Sequence, residues 1–449
     1  MRVVDSVNKP DPKKLKHLRG AKVLLAVAAM LAMANAARAN LYAVSDLGIL
    51  TDLPGRTEAA VGGINRSGQV VGSSVANGAY AAMLYGGVWT NLGTLGGADS
   101  FGYGVNDSVQ IVGNSTSAAG LTRAFLWTPG GTDGVPANPQ MKDLSTLGGP
   151  SSKAFAINNS GQVAGYAETG QNEYHAFRYS GGTMSDIGAL LGNRLPNSYG
   201  YSINDAGHVA GEARDSQWNL NSMSALFYNG ATVVTLGTLP GGQYASALAL
   251  NDADQMVGYS ETAGGFEHAF LYAGGVMSDL GTLGGNYSCA HAINNSNVIV
   301  GFAGIAPGDD NLNRAFIYAG GSMVDLNTLL DASGAGWTLV QASDINDAGQ
   351  IVGVGIYGGT NHGFRLDPLP PMSQRPTVTG VQVQETDVLL SFTTQDAAHY
   401  AIDCCQILTN GPWDVAMTGI TGTGGVVTVT NFGGATVPTR FYRVRLTLP

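Results

Sequence analysis

The stretch Ile345-Asn346-Asp347-Ala348-Gly349-Gln350-Ile351-Val352-Gly353 decides the fold of this chain. It contains an aliphatic-Asn pair, a short turn and a β-branched pair that ends in glycine. Asn, Asp and Gly tolerate the positive φ of tight turns, and β-branched residues favour strands, so the stretch predicts a hairpin. Seven copies rule out chance, and they begin at Ile64, Val105, Ile157, Ile203, Leu250, Ile293 and Ile345.

The spacing of the copies predicts a β-propeller. They lie 41 to 52 residues apart, near the period of a four-stranded blade. Each is followed by a second strand signal such as Ala269–Tyr272, a Gly-Gly turn and a motif such as Asp279–Leu283, which we interpret as the fourth strand. Each repeat therefore predicts four antiparallel strands.

The ends of the repeat region predict a closed ring. The seventh repeat stops at Gly363-Phe364-Arg365-Leu366, without its fourth strand, and Tyr42 to Leu50 carries that missing pattern. A ring closed in this way leaves no unpaired terminal strand. We therefore expect an all-β, seven-bladed β-propeller over residues 40–368, closed by the N-terminal strand.

The first strand of each repeat alternates in side-chain size. Small residues such as Ala154 and Ala156 alternate with bulky ones such as Phe155 and Ile157. Successive side chains of a strand point to opposite faces. We therefore expect each blade to pack a small face against the large face of its neighbour.

The repeat resembles a known family. His268-Ala269-Phe270-Leu271-Tyr272, followed by Asp279-Leu280-Gly281-Thr282-Leu283-Gly284-Gly285, is similar to the consensus of the bacterial extracellular HAF-type repeat, over about residues 41–366. The resemblance implies secretion and a repeated β fold, and no established activity. The literal His-Ala-Phe occurs only at His175 and His268, so the histidine is not a fixed functional group.

The N-terminus predicts a signal peptide over residues 1–39. Seven basic residues lie within residues 2–22, and a 12-residue apolar run, Val23 to Ala34, precedes Ala37-Arg38-Ala39, with Ala34-Asn35-Ala36 as the alternative cleavage motif. This run is shorter than the roughly 20 residues that span a bilayer. We expect an exported chain, extracellular, cell-surface or periplasmic, with no membrane span after cleavage.

The charge of the chain restricts its possible binding partners, and its cysteine content restricts the disulfides and metal sites that it can form. Beyond residue 39 the chain has 14 basic and 30 acidic residues, a net charge of −16, and no basic cluster. Nucleic acid is therefore excluded as a partner. The three cysteines, Cys289, Cys404 and Cys405, are too few for a disulfide scaffold or a zinc site, and their redox state stays open.

The C-terminal part of the sequence does not continue the repeat. Residues 369–376 form a proline-rich linker, and residues 377–449 show five short strand signals: 378–383, 388–393, 400–407, 426–430 and 440–446. They predict a small β-sandwich that resembles immunoglobulin- or fibronectin-like modules. Such a module implies a spacer or an attachment unit.

Catalytic signatures do not occur in the sequence. It has no nucleophile elbow, phosphate-binding loop or metal-spaced histidine pair, so we assign no catalytic residue and leave enzymatic activity open. A propeller hydrolase or lyase acting on glycans would need converging polar groups, for which Glu58, Asp99, Lys153 and Asp344 are available. The Asn-Asp-x-Gly clusters are interpreted as turns. No cofactor is predicted other than calcium, whose candidate oxygen ligands are Asp309, Asp310 and Asn313.

The long connections of a four-stranded meander emerge on one side, which we call the variable-loop face; the Asn turns lie on the other. Binding residues tend to lie on variable loops of a rigid scaffold. We therefore expect a binding or surface-interaction scaffold for an extracellular glycan or protein surface; the alternatives are the glycan enzyme and a structural matrix or surface-layer component. The candidate ligand-binding residues, which could instead pack between blades, are Phe101, Tyr199, Trp218, Tyr244, Tyr287 and Trp337, with Phe266 nearby.

Overall fold

The structure, a computed structural model, forms two compact units: Tyr42–Pro368 is one, and the residues from Leu369 onward belong to the other. It describes residues 41–49, 60–76, 78–215, 222–308, 312–369, 378–385, 387–394, 399–405, 414–421, 423–432 and 441–447. The predicted signal peptide and most of the predicted linker lie outside these residues, as do Glu58, Trp218, Asp309 and Asp310.

Four-stranded antiparallel sheets make up the larger unit. Six of them run in chain order: β2 (Ala60–Ile64), β3 (Val70–Ala76), β4 (Ala79–Tyr85) and β5 (Trp89–Asn91); β6 (Gly96–Val105), β7 (Ile111–Ser117), β8 (Thr122–Trp127) and β9 (Met141–Asp143); β10 (Gly148–Ile157), β11 (Val163–Thr169), β12 (Tyr174–Ser180) and β13 (Thr183–Asp186); β14 (Asn197–Ile203), β15 (Val209–Arg214), β16 (Ser224–Tyr228) and β17 (Val233–Thr235); β18 (Ala245–Leu250), β19 (Met256–Glu261), β20 (Glu267–Ala273) and β21 (Val276–Asp279); β22 (Ser288–Ile293), β23 (Ile299–Gly304), β24 (Asn313–Ala319) and β25 (Ser322–Asp325).

A further sheet combines both ends of the unit. It has the order β1-β28-β27-β26, from β1 (Tyr42–Ile49), β26 (Trp337–Ile345), β27 (Ile351–Tyr357) and β28 (Thr360–Pro368). The N-terminal β1 pairs antiparallel with β28 from Tyr42 opposite Pro368 to Ile49 opposite His362. In the described part of the chain, short 3-10 helices lie at Gly188–Arg194, Leu326–Leu329 and Ala332–Gly334. No helix among the described residues is long and apolar enough to cross a membrane.

The sheets are arranged as the blades of a β-propeller. The first strand of each sheet contacts the first strand of the next, from β2 with β6 through to β22 with β26, and their residues line shared cavities. Apolar clusters fill the space between neighbouring sheets; one of them joins Val112 of β7 to Val163 and Phe177 of β11 and β12. The all-β propeller expected from the repeats is thus the observed fold.

Every first strand carries a bulge just before its end. In β10 the pairing with β11 shifts between Ala154 and Ala156, which leaves Phe155 as the extra residue. The glycine at the third position of each second strand, as in Val70-Val71-Gly72 and Val163-Ala164-Gly165, faces this bulge. A Cβ added to Gly165 would lie 2.0 Å from the carbonyl oxygen of Lys153. The repeated glycine is therefore required by a close backbone approach.

The bulky face of the first strands differs from our expectation. Small residues do lie where sheets meet, since a Cβ on Gly102 would come within 2.5 Å of Val71. The bulky residues, among them Phe155 and Tyr201, line the central cavity, where these two rings contact each other, and they do not pack against the small face of the neighbouring sheet. First strands converge on the propeller axis, so their alternate side chains point into the lumen.

The Asp-Leu-Gly motif is only in part a strand. In the six sheets that run in chain order the fourth strand ends at the first residue of the motif, as β21 ends at Asp279, whereas β1 continues through Asp46 to Ile49. The Asp279 carboxylate then accepts a hydrogen bond from Gly281 N–H at 2.7 Å, and the motif continues as the connection to the next sheet. Asp at this position therefore closes an Asx turn.

The C-terminal unit contains two three-stranded sheets, β29-β30-β33 and β32-β31-β34, in the residues described. Leu390, Phe392 and Tyr400 are fully buried in its core. The strands are β29 (Val378–Gln384), β30 (Asp387–Thr393), β31 (His399–Cys405), β32 (Asp414–Thr421), β33 (Val426–Asn431) and β34 (Phe441–Thr447). Sequence analysis missed β32, whose pairing with β31 is interrupted twice and which contains Gly419 at φ 71°.

Candidate functional site

The repeated asparagine builds a ring around the propeller axis. Its carbonyl oxygen accepts the N–H groups of its own turn; Asn158 Oδ1, for example, lies 2.8 Å from Gln162 N. Its amide nitrogen donates to the backbone carbonyl of the corresponding asparagine in the next sheet. These inter-sheet bonds, 2.8 to 3.3 Å long, run Asn65, Asn106, Asn158, Asn204, Asn251, Asn294, Asn346 and back to Asn65.

The residue after each asparagine forms an outer ring at the mouth of a 410 Å³ cavity. Each backbone N–H from Arg66 to Asn295 donates to the Asp or Asn side chain at this position in the next sheet, at 2.8 to 3.1 Å. Because four residues of this outer ring are Asp and one is Arg, the mouth on the Asn-turn side is acidic. Its exposed members are Arg66, Asp107, Asn159, Asp205, Asp252, Asn295 and Asp347.

An aliphatic ring separates this mouth from a second cavity of 320 Å³. The bulged residues of the first strands line the second cavity, which we call the lumen cavity. They differ from sheet to sheet, unlike the rings of asparagine and aliphatic residues. In sheet order from β6 they are Tyr103, Phe155, Tyr201, Leu248, His291 and Ser343, and the β2 strand contributes Gly62 and Gly63.

Asp344 lies at the edge of the lumen cavity and joins two sheets. Its carboxylate accepts N–H groups from Ile64 at 2.9 Å and from Ile345 at 2.8 Å. Burial raises the pKa of Asp344 to about 6 despite these bonds. Among the described residues no cationic side chain contributes to its environment.

His291 faces the same cavity as a neutral imidazole. Its Nδ1 lies 3.1 Å from the carbonyl oxygen of Ala342, so Nδ1 carries the proton. Burial lowers the pKa of His291 to about 4. Asp344 is therefore the charged group of the lumen cavity at neutral pH.

Six partly exposed aromatic residues form a connected group, which we call the aromatic cluster. Tyr103 and Tyr201 flank Phe155, each with its ring centroid 5.4 Å from that of Phe155. The group continues toward the variable-loop face through ring contacts of 5.0 to 6.3 Å. Its members are Tyr103, Phe155, Tyr166, Tyr174, Tyr199 and Tyr201.

A buried ion pair supports this cluster. Glu212 is 1% exposed and pairs with Arg214, whose guanidinium lies 5.4 Å from the centroid of the Tyr199 ring. Burial and then the Glu212 carboxylate raise the pKa of Tyr201 well above its usual value. The Tyr201 phenol is thus neutral, which suits ligand contact and hydrogen bonding better than proton transfer.

The candidate ligand-binding residues are spread over several sheets. Phe101, Tyr199 and Trp337 lie within strands β6, β14 and β26, and Tyr244 and Tyr287 directly precede β18 and β22. Phe101 packs on Tyr80, and Trp337 stacks on Tyr357 with centroids 4.9 Å apart. Only Tyr199 belongs to the aromatic cluster, and Trp218 lies outside the described residues.

The candidate catalytic and metal residues lie apart. Asp99 accepts a hydrogen bond from Tyr80 N–H at 3.0 Å, and of the described candidates only Asp344 lines the lumen cavity, since Lys153 does not. Asn313 Oδ1 accepts the Tyr287 hydroxyl. No group of three potential metal-ligating His, Cys, Asp or Glu side chains occurs in the described part of the chain.

Sequence analysis missed the lumen cavity because it assigned the bulky residues to contacts between blades. The signal was present in the invariant glycine of the second strand, since a glycine inside a strand often marks a bulge. A bulge re-aims the side chain of its extra residue.

Comparisons with known proteins identify similar folds at low identity. No family model matches this chain, and no curated protein matches it. AofleA from Arthrobotrys oligospora is similar with a TM-score of 0.36 and 12% identity, covering 63% of this chain and 87% of that one. The β-propeller domain of the Trilobed protease from Pyrococcus furiosus has a TM-score of 0.33 and 12% identity, covering 79% and 91%.

The acylaminoacyl peptidase of Pyrococcus horikoshii has a TM-score of 0.41 and 7% identity, with 75% of this chain matched to 57% of that one. These similarities give no information about a ligand or an activity of this chain.

Proposed function

We propose that this chain is an exported binding protein whose variable-loop face recognises an extracellular glycan. The observation that carries the proposal is the aromatic cluster, which runs from the lumen cavity through Tyr166 to Tyr174 and Tyr199. Sugar rings pack their C–H faces on aromatic side chains, and nearby polar groups hydrogen-bond their hydroxyls. The N-terminal leader pattern supports export.

The proposal includes a closed scaffold of seven blades with β1 completing the last one. Three features support closure: β1 pairs with β28, β2 contacts β26 and β27, and Asn346 donates to the carbonyl of Asn65 at 2.9 Å. A closed ring has no free sheet edge at its seam. It therefore holds the aromatic cluster on a rigid frame.

Tyr174 and Tyr199 provide the test, since they lie at the outer end of the cluster with centroids 6.2 Å apart. We expect the full chain to bind a defined set of glycans on an array, and Tyr174→Ala and Tyr199→Ala each to weaken that binding by about tenfold, as for an anchoring aromatic residue.

Tyr85→Ala is the matched control. Tyr85 is a partly exposed tyrosine whose ring contacts that of Trp89 in the β2–β5 sheet, near its Gly86-Gly87 turn on the Asn-turn side. Its replacement should leave glycan binding unchanged. Absence of binding to every glycan, or equal binding by all three variants, would overturn the glycan proposal in favour of a protein partner or a structural role.

A further inference from the structure

The lumen cavity has an aromatic side and a polar side. Tyr103, Phe155 and Tyr201 occupy consecutive sheets, and the Phe155 ring contacts each of the two tyrosines at a centroid distance of 5.4 Å. Across the remaining sheets the lining is Leu248, His291, Ser343, Asp344, Gly62 and Gly63. At 320 Å³ the cavity lies at the lower end of ligand-pocket volumes, which run from about 300 to 1,000 Å³.

Along the first strands, the repeats differ most at the bulged position that lines the lumen cavity. The neighbouring levels hold an Asn and an aliphatic residue in every copy, whereas the bulged position is Tyr, Phe, Tyr, Leu, His and Ser in turn. Structural constraint accounts for the constant levels, because their side chains make the inter-sheet bonds and the packing. The bulged position of the first strand is not constrained in this way, and its residues on one side of the cavity are aromatic.

The electrostatics of the channel select for positive charge. No Lys or Arg occurs among the described residues that line the lumen cavity, while Asp344 supplies a carboxylate without a cationic partner among them. The neutral His291 adds no positive charge. At the Asn-turn mouth Asp107, Asp205, Asp252 and Asp347 outnumber the single Arg66.

We propose that the lumen cavity binds a small organic ammonium ion, with its alkylated cationic head against Tyr103, Phe155 and Tyr201 and its charge balanced by Asp344. The faces of aromatic rings attract cations, most strongly where water is excluded, and alkylated ammonium groups lose little hydration on entering such a site. A carboxylate with no cationic neighbour gains a counter-ion in the same step. This site lies at the inner end of the aromatic cluster, whereas the proposed glycan contacts, Tyr174 and Tyr199, lie at its outer end.

Choline and its uncharged carbon analogue, 3,3-dimethylbutan-1-ol, provide the test, because they have the same shape and differ in charge. Calorimetric titration of the full chain is done at pH 8, where Asp344 is ionised. We expect choline to bind and the neutral analogue to bind at least about tenfold more weakly, as expected for a desolvated cation–π site.

Two variants remove the two halves of the site. Phe155→Leu keeps apolar volume without the ring, and we expect choline affinity to fall roughly fivefold; Asp344→Asn removes the charge, and we expect a fall of about tenfold or more. Asp133→Asn is the matched control, since it removes an exposed carboxylate that pairs with Lys142 and lines neither cavity, and its effect should stay within about twofold at physiological salt.

Cooperative melting of each variant is checked first. If Asp344→Asn does not fold, the proposal is tested by two measurements: the affinity of the wild type for choline compared with the neutral analogue, and the affinity of Phe155→Leu for choline. Equal affinity for choline and the neutral analogue, no choline binding at millimolar concentration, or folded variants that bind as the wild type does would each overturn the proposal. Loss of glycan binding in the Tyr174 and Tyr199 variants would leave it untouched.

Discussion

Two buried polar residues of the repeat hold neighbouring sheets together. Asn158, 4% exposed, satisfies its own turn and donates to the Asn204 carbonyl. Within β10, the strand that precedes Asn158, the Ser152 hydroxyl accepts the N–H of Ala124 in the preceding sheet, at 2.9 Å. Buried polar groups that are fully hydrogen-bonded specify one arrangement of the packing surfaces. The sequence analysis recognised the turn role of the asparagine and missed both inter-sheet bonds.

Replacement of one ring asparagine tests this double role. Asn158→Ala removes the turn acceptor and the inter-sheet donor; the Gln162 N–H loses its acceptor, and the Asn204 carbonyl keeps only the bond from Gly207 N–H. We expect a loss of about 2–4 kcal/mol in the free energy of unfolding, measured by urea denaturation. The neighbouring Asn159→Ala affects an exposed residue and should cost less than about 1 kcal/mol. Equal losses would show that the buried ring has no special weight.

Asp344 predicts a pH dependence with a definite sign. Its pKa is raised to about 6 in the folded protein, so the native state binds the proton more tightly than the unfolded chain does. The stability that this group contributes is present below pH ~4 and is lost as pH rises through ~6. Asp344→Asn cannot ionise at this position, so the variant does not lose this stability as the pH rises.

We therefore expect the free energy of unfolding of Asp344→Asn, relative to wild type, to increase by on the order of 1–2 kcal/mol between pH 4.5 and 7.5, after allowance for solvent in the lumen. The lowered pKa of His291 acts in the opposite direction in both proteins and cancels in the difference. The same relative stability at both pH values would contradict a buried, uncompensated carboxylate.

At the scale of strands, sequence periodicity predicted what depends on local chemistry. The hairpins follow from Asn, Asp and Gly at the turns, and β1 was assigned to the last sheet from the motif that repeat seven lacks. The bulge was not predicted, because it depends on how closely β10 and β11 approach at Gly165, a property of the paired strands. The lumen cavity was missed for the same reason.

The N-terminal strand carries a prediction about closure. Tyr42 and Leu47 of β1 are each 4% exposed, and Leu47 packs with Val61 and Val70 of the β2–β5 sheet. Deletion of residues 42–49 removes this contact and leaves β28 as a free edge. We expect a loss of at least about 5 kcal/mol, as for two large buried side chains, visible as a lower melting temperature and as aggregation.

A peptide of residues 40–50 added in trans should restore the melting temperature, because it can pair with β28 in the register of β1. A peptide that carries Tyr42→Asp and Leu47→Asp is the control and should not restore it. A deletion variant that melts like the full chain would contradict the closed ring.

At the scale of the whole molecule, the two compact units each bury a core of their own. Phe392 and Tyr400 lie at the centre of the C-terminal unit, with ring centroids 5.7 Å apart, whereas Phe177 lies fully buried between two sheets of the propeller. Units with separate cores unfold as separate cooperative transitions. Calorimetry of the full chain should therefore resolve two transitions.

Two matched substitutions assign these transitions. A buried Phe→Ala change costs about 3–5 kcal/mol, so Phe392→Ala should lower the melting temperature of one transition and Phe177→Ala that of the other. The unit with the smaller core should show the larger shift, because its entropy of unfolding is smaller. If either substitution moved both transitions together, the units would unfold as one cooperative body, and the C-terminal unit would contribute to the stability of the propeller instead of acting as a separate spacer or attachment module.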